Sequence, residues 1–152
     1  VQAAQMALEV DSDMLWADDM GVDSQGLTAA GQEMATIARD HPRLQLFASV
    51  AFKYRPHEPN PVGAAAHARA AGFIPTTSGD ATGHAPDPQK IFAMGAGGAL
   101  AIASGMTPEN EATYAPALTH ILVATGVSRT EHHIDPAKLS ALIGQLRQNV
   151  TP

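Results

Sequence analysis

Leu100-Ala101-Ile102-Ala103-Ser104-Gly105-Met106-Thr107-Pro108 holds in nine residues the pattern on which the whole chain is built. Four apolar residues read as a short strand, Ser-Gly as a turn, and Thr-Pro as the start of a helix. A Thr at the N-cap accepts a bond from an orphan N–H, and Pro at the first helical position has no N–H to leave unpaired. The same pair of cap residue and Pro stands at Asn60-Pro61, Asp87-Pro88 and Asp135-Pro136. The four prolines are 27, 20 and 28 residues apart, about the length of one strand, one helix and two short loops. Prolines scattered through loops by chance would not each follow a capping residue.

Outward from these marks, the apolar residues form short continuous runs: Met14 to Ala17, Leu46 to Phe52, Phe73-Ile74, Leu100 to Ala103 and Ile121 to Ala124. Continuous rather than alternating runs belong to strands covered on both faces. The expected strands are 13–18, 45–53, 73–77, 99–104 and 120–125. Ala-rich helices are expected at 28–40, 61–71, 88–95, 108–115 and 136–148, with the end of another at 1–9. Serial strand–helix units give an α/β fold of parallel βα repeats with right-handed crossovers. Five strands fit an open doubly wound sheet, or strands four to eight of a TIM (β/α)₈ barrel. The opening Val1 and the leading helix fit a barrel without its N-terminal βα units, so 1–152 is read as a single domain, an incomplete barrel. A five-strand piece has two unpaired edges. The natural protein is therefore expected to be longer, or to pair with a copy of itself as a homo-oligomer.

Composition narrows the function. The 152 residues carry 9 Lys and Arg against 15 Asp and Glu. That acidic balance argues against a non-specific nucleic-acid binder. A 45% hydrophobic fraction argues against disorder, and no apolar run reaches the roughly 18 residues of a membrane span. There is no Cys, which removes disulfides and thiolate chemistry and allows a reducing compartment; a cytoplasmic location is the expectation. Aromatics are only 5%, as close packing of small side chains would produce.

In both candidate architectures ligands sit beyond the carboxyl ends of the strands, and polar residues collect there. The first strand ends in Asp18-Asp19, the second in Lys53-Tyr54-Arg55 and the third in Thr77-Ser78-Gly79. The last two end in Ser104-Gly105 and Thr125-Gly126. Gly turns that lead into helix starts offer unpaired N–H groups and the positive end of a dipole to an anion. Ser104, Gly105, Thr107, Thr125 and Gly126 are thus the expected phosphate binders, with Thr77, Ser78, Gly79 and Arg55 beside them. The plain alternative is that the glycines serve tight turns only. Alternation along 45–53 puts Phe47, Ser49, Ala51 and Lys53 on one face, with Lys53 at the mouth, where an amine could hold an anion or act as base or Schiff-base donor. Asp18 or Asp19 could carry a proton or ligate a divalent ion; no cofactor is expected. His57, His84, His132 and His133 fall in loops, without spacing that would chelate one ion. No GxxxxGK[ST], no GxGxxG between strand and helix, and no GxSxG elbow is present. Met94-Gly95-Ala96-Gly97-Gly98-Ala99 lies at a helix end, where glycine belongs for structural reasons.

Ala103-Ser104-Gly105-Met106-Thr107-Pro108-Glu109-Asn110 resembles the Gly-Ser-Gly-Val-Thr-Pro-Glu-Asn segment of the BtpA family, which are (β/α)₈ barrels of the ribulose-phosphate-binding kind. Val50-Ala51-Phe52-Lys53 is similar to that family's strand ending in Val-Lys-His. Thr77-Ser78-Gly79-Asp80-Ala81-Thr82-Gly83 is similar to its Thr-Gly-x-x-Thr-Gly loop, and Leu122 to Val127 followed by Ile134-Asp135-Pro136 to its last strand and helix. The likeness covers about 44–148 and is divergent, with Tyr54-Arg55-Pro56 in place of the His and small residues that follow the Lys. It implies the C-terminal portion of a barrel and its phosphate loops. The resulting expectation is an enzyme acting on a small phosphorylated metabolite, by isomerisation, carbon–carbon cleavage or glycosyl or phosphoribosyl transfer. The opposing reading is a non-catalytic BtpA-like barrel, an assembly factor or ligand-binding module.

Overall fold

The cap-and-proline marks start helices where their side chains have an amide to accept. In the computed structural model, which describes residues 1–149, Asn60 Oδ1 accepts the Gly63 N–H at 2.9 Å and opens α3 (Pro61–Ala70). Asp87 accepts from Gln89 at 2.9 Å and opens α4 (Pro88–Gly95). Asp135 accepts from Ala137 at 2.9 Å and opens α6 (Pro136–Asn149). Without such a bond these amides would be orphans of the first turn. Thr28 does the same for α2 (Ala29–Asp40), accepting from Gly31 at 3.2 Å. An opening helix, α1, spans Gln2–Glu9.

Thr107 breaks the series. Instead of a helix over 108–115, residues 107–110 form a turn, followed by α5 (Glu111–Tyr114) and a 3₁₀ turn at Ala115–Ala117. The cause is Asn110. Its Oδ1 accepts the Thr107 N–H at 2.9 Å while its Nδ2 donates to the Gly105 carbonyl at 2.7 Å. The side chain holds the segment as a turn, so the helix begins only after it.

Five strands carry the apolar runs: β1 (Met14–Ala17), β4 (Gln45–Ser49), β5 (Ile74–Thr77), β6 (Ala101–Ala103) and β7 (His120–Leu122). They form one sheet in the order β1-β4-β5-β6-β7, with parallel pairing in each register given below. The expected class, parallel βα repeats, is the one observed. The expected strand 45–53 is too long, because it ends at Ser49. The last ladder-like bond runs from the Val50 N–H to the Thr76 carbonyl, and Ala51 then turns to φ 47°.

By its internal contacts the chain divides into two compact units. The first holds residues 1–51 and 55–76. In it β1 pairs with β4 (Met14↔Gln45 to Ala17↔Ala48) and β4 with β5 (Phe47↔Ile74 to Ser49↔Thr76). Leu46, Phe47, Ala48 and Val50 are buried in succession, as a doubly covered strand requires. Three alanines of α3, Ala64, Ala65 and Ala68, are fully buried, which is where the small-residue composition is used. A two-residue hairpin follows β1, made of β2 (Val22–Asp23) and β3 (Gly26–Leu27), and Asp23 steadies it by accepting from Gln25 at 2.7 Å.

Among the described residues the second unit holds 52–54 and 77–149. There β6 and β7 pair over Ala101↔His120 to Ala103↔Leu122. Ile91, Met94, Leu100, Ile102, Met106, Val127 and Leu142 form its core at 0–1% exposure. A second small hairpin, β8 (Ser128–Thr130) with β9 (His133–Ile134), precedes α6. Caps and core differ in what they contribute. Asn60→Ala is expected to cost about 1 kcal/mol and Ile91→Ala about 2–5 kcal/mol, the second including the cavity it leaves. Urea unfolding of the two variants measures both.

Candidate functional site

In the second unit, the turn after β6 is made by two successive left-handed residues, Ser104 at φ 99° and Gly105 at φ 79°. Gly105 has no room for a side chain, since a Cβ there would collide with the His84 carbonyl oxygen. The turn after β7 is a 3₁₀ turn over Thr125–Val127. A Cβ on Gly126 would collide with the carbonyl oxygen of Met106. The 104–107 and 125–127 turns are therefore packed backbone to backbone.

Their amides divide into two groups. Thr107 donates to Asn110, and Val127 donates to the Ala124 carbonyl at 3.0 Å. Among the described residues, the amides of Gly105, Met106, Thr125 and Gly126 make no hydrogen bond. Gly105 and Met106 are both buried residues, Met106 at 0% exposure. Buried backbone N–H groups are nearly always paired, so this is a place suited to an acceptor from outside the chain.

The loop after β5 lies against the same turns. Gly79 and Gly105 both face the His84 carbonyl, and Gly83 faces the Thr125 Cγ2. Thr77 and Ser78 are fully buried. The Ser78 hydroxyl accepts the Lys53 N–H at 2.9 Å and donates to the Gly79 carbonyl at 2.8 Å. That hydroxyl, read from the sequence as a phosphate ligand, is spent on the loop itself. The Lys90 Nζ donates to the Ser78 carbonyl at 2.9 Å. Burial pulls the Lys90 ammonium below the ordinary lysine range, against the attraction of Asp80 and Asp87. Neither Lys90 nor Asn110 stands out in the sequence as a site residue, because each acts on backbone atoms of another loop or of its own turn.

Lys53 is at the carboxyl end of β4, but not on the strand. Left-handed backbone at Ala51 and Tyr54 (φ 47° and 61°) ends the alternation that would have aimed it. Lys53 lies in the intervening turn, half-buried, with Nζ 5.6 Å from the Phe52 ring centroid.

Asp18, Asp19 and Arg55 belong to the first unit and form an ionic tie. Arg55 donates to the Asp18 carbonyl at 2.7 Å and pairs with the Asp19 carboxylate at 3.1 Å. The other Asp19 oxygen accepts the Gly21 N–H at 2.8 Å. That amide bond, helped by Arg55 against a burial effect of opposite sign, holds the Asp19 carboxyl below the usual range. Such a group stays ionised and is a weak proton acceptor. Glu58 is also held low. Burial works to raise it, and the bonds from Ser24 (3.1 Å) and Asn60 (2.8 Å) outweigh that. A cavity of about 230 Å³ lies beside these ties, lined by residues that include Val22, Ser49, Val50, His57 and Glu58. His57, His84, His132 and His133 are exposed. Among the described residues no three His, Asp or Glu side chains assemble as a metal set, and no helix is long and apolar enough to cross a membrane.

No family model matches the chain, and no curated protein does. Solved structures do. The phosphoribosyl anthranilate isomerase of Thermus thermophilus aligns with a TM-score of 0.65 at 16% identity, over 97% of this chain and 67% of that one. TrpF of Jonesia denitrificans aligns with a TM-score of 0.55 at 18% identity, over 96% and 65%. This chain thus spans about two-thirds of the length of those proteins. The likeness shows the fold, part of a (β/α)₈ barrel, to which the five parallel strands belong.

Two outcomes follow from the geometry. Gly126→Ala should separate the two turns and cost about 1–3 kcal/mol, as overpacking does, measured by thermal or urea unfolding. For Asp19, the folded pKa lies below the unfolded one. Its contribution is therefore present above the ordinary Asp range near ~3.9 and is lost as pH falls through the depressed folded value. Asp19→Asn should flatten that acid limb of the stability–pH curve and leave the neutral region without a new slope.

Proposed function

We propose that the chain is the phosphate-holding part of an enzyme acting on a small phosphorylated metabolite. The observation that carries this reading is the pair of packed turns, 104–107 and 125–127, with four amides that no described residue bonds. An anion takes such donors at little cost, because they are fixed before it arrives. In (β/α)₈ barrels the loops after the last two strands often bind phosphate together, which agrees with the resemblance of these loops to the BtpA family. The names of the two solved neighbours favour isomerisation of a phosphoribosyl-type compound over cleavage or transfer.

In this reading the Gly105, Met106, Thr125 and Gly126 amides bind the phosphate oxygens. Gly105 and Gly126 are required because any side chain would displace the opposite backbone. Lys53 acts by its positive charge on the anionic part of the substrate. Asp19, in the first unit, is committed to Gly21 and Arg55 and so is a poor proton carrier.

Inorganic phosphate is the probe. Titration should shift the amide resonances of Gly105, Met106, Thr125 and Gly126 together with one saturation curve. Gly126→Ala should abolish the effect, and Lys53→Met should weaken it several-fold while the fold is kept. A titration that leaves those four amides unmoved at millimolar phosphate would sink the proposal and put the non-catalytic binding module first.

A further inference from the structure

The loop 79–85 is held down at two adjacent amides by two hydroxyls that come from other parts of the second unit. The Tyr54 hydroxyl oxygen accepts the Thr82 N–H at 3.2 Å, and it also lies 3.3 Å from the Thr82 Oγ1. The Ser104 Oγ accepts the Gly83 N–H at 2.9 Å. Both hydroxyls are borne by residues in the left-handed region, Tyr54 at φ 61° and Ser104 at φ 99°. Non-glycine residues resist that region, and they persist there only where the surroundings hold them. Glycine would meet the backbone demand at either position without strain. The residues present instead supply an oxygen at the one place where a loop amide needs it.

The loop so pinned is the element that touches both phosphate turns. Its His84 carbonyl packs on Gly105, and its Gly83 packs on the Thr125 methyl. Tyr54 is 79% exposed, so packing does not explain an aromatic ring there, while its hydrogen bonds to Thr82 do. Those same bonds favour the phenolate and draw the Tyr54 hydroxyl below the ordinary tyrosine range.

We propose that Tyr54 and Ser104 are positioning residues: their hydroxyls pin the Thr82-Gly83 amides and so set where the loop 79–85 stands over the two phosphate turns. The inference rests on the phosphate reading above for its functional half. It assigns Ser104 to the loop rather than to the ligand. The bonds are local and separable. Each hydroxyl governs one amide, and the loop's position follows from both.

Residue-resolved hydrogen exchange and phosphate titration on the unsubstituted protein, Tyr54→Phe, Ser104→Gly and the double variant test this. Ser104→Gly keeps the turn, since glycine accepts φ 99°, so its melting temperature should hold or rise even as the pin is lost. Exchange at Gly83 should quicken by about tenfold in Ser104→Gly, and at Thr82 by a similar factor in Tyr54→Phe, the scale expected for one lost bond. The double variant should bind phosphate several-fold more weakly than the unsubstituted protein. Unchanged exchange at both amides overturns the proposal, and so does faster exchange with undiminished phosphate affinity. If the unsubstituted protein itself binds no phosphate, the failure lies in the phosphate reading, and the positioning role falls with it.

Discussion

The carbonyl oxygen of Met106 occupies the space that a side chain at position 126 would need, and the second unit's candidate site depends on this contact. Backbone can lie that close to backbone only where one partner is glycine. The contact has two results. It joins the turn after β6 to the turn after β7, and it brings four unbonded amides into one neighbourhood. Asn110 sets the other side of the arrangement by bonding both Gly105 and Thr107, which fixes the first turn from within. Because the donors are fixed by covalent geometry and by side chains that no ligand has to move, little ordering remains to be done when an anion arrives.

What could be read from the sequence was what is decided locally. Asn60, Asp87 and Asp135 each cap a helix through an amide two or three residues away, so a dipeptide is enough to place the helix start. Strand positions were legible from the apolar runs, and in β4 and β6 those runs are buried on both faces as expected, whereas in β1 Met14 and Trp16 are exposed. Thr107-Pro108 misleads because the Asn110 side chain ties the Thr107 amide to the Gly105 carbonyl in a turn, and the helix starts only at Glu111. The hairpins β2–β3 and β8–β9 escape notice because strands of two or three residues carry no periodicity to detect.

Lys53 shows where local reading ends. Its neighbours suggest a strand through residue 53, and an apolar stretch from Leu46 to Phe52 supports that. The strand nevertheless ends four residues earlier, where the ladder ends, with Val50 bonded to Thr76 and the Lys53 amide taken by the hydroxyl of Ser78. Those partners are 26 and 25 residues away in sequence, so no window of ordinary width contains them. The acidic pair is a similar case. Two aspartates at a strand end suggest acid–base chemistry, yet Asp19 is bound to the Gly21 amide and to Arg55. A carboxylate with strong partners is stabilised in its charged form, and that same stabilisation makes it reluctant to take a proton. Residue type alone cannot distinguish a tie from a base; the partners do.

The non-glycine residues at positive φ are Asp11, Ala51, Tyr54 and Ser104 among the described residues. Three of the four stand in the segments that follow β4 and β6, and only Asp11 lies on the approach to a strand. Strain of this kind costs of order 1–3 kcal/mol at each position, and selection for stability alone would replace such residues by glycine. The fold can carry that cost against the burial of its strands and the capping of its helices. The distribution of strain therefore separates the molecule into two kinds of sequence. In one, each residue agrees with its local conformation and builds the sheet. In the other, residues sit in conformations they resist, and the side-chain oxygens of Tyr54 and Ser104 reach loop amides that nothing else bonds.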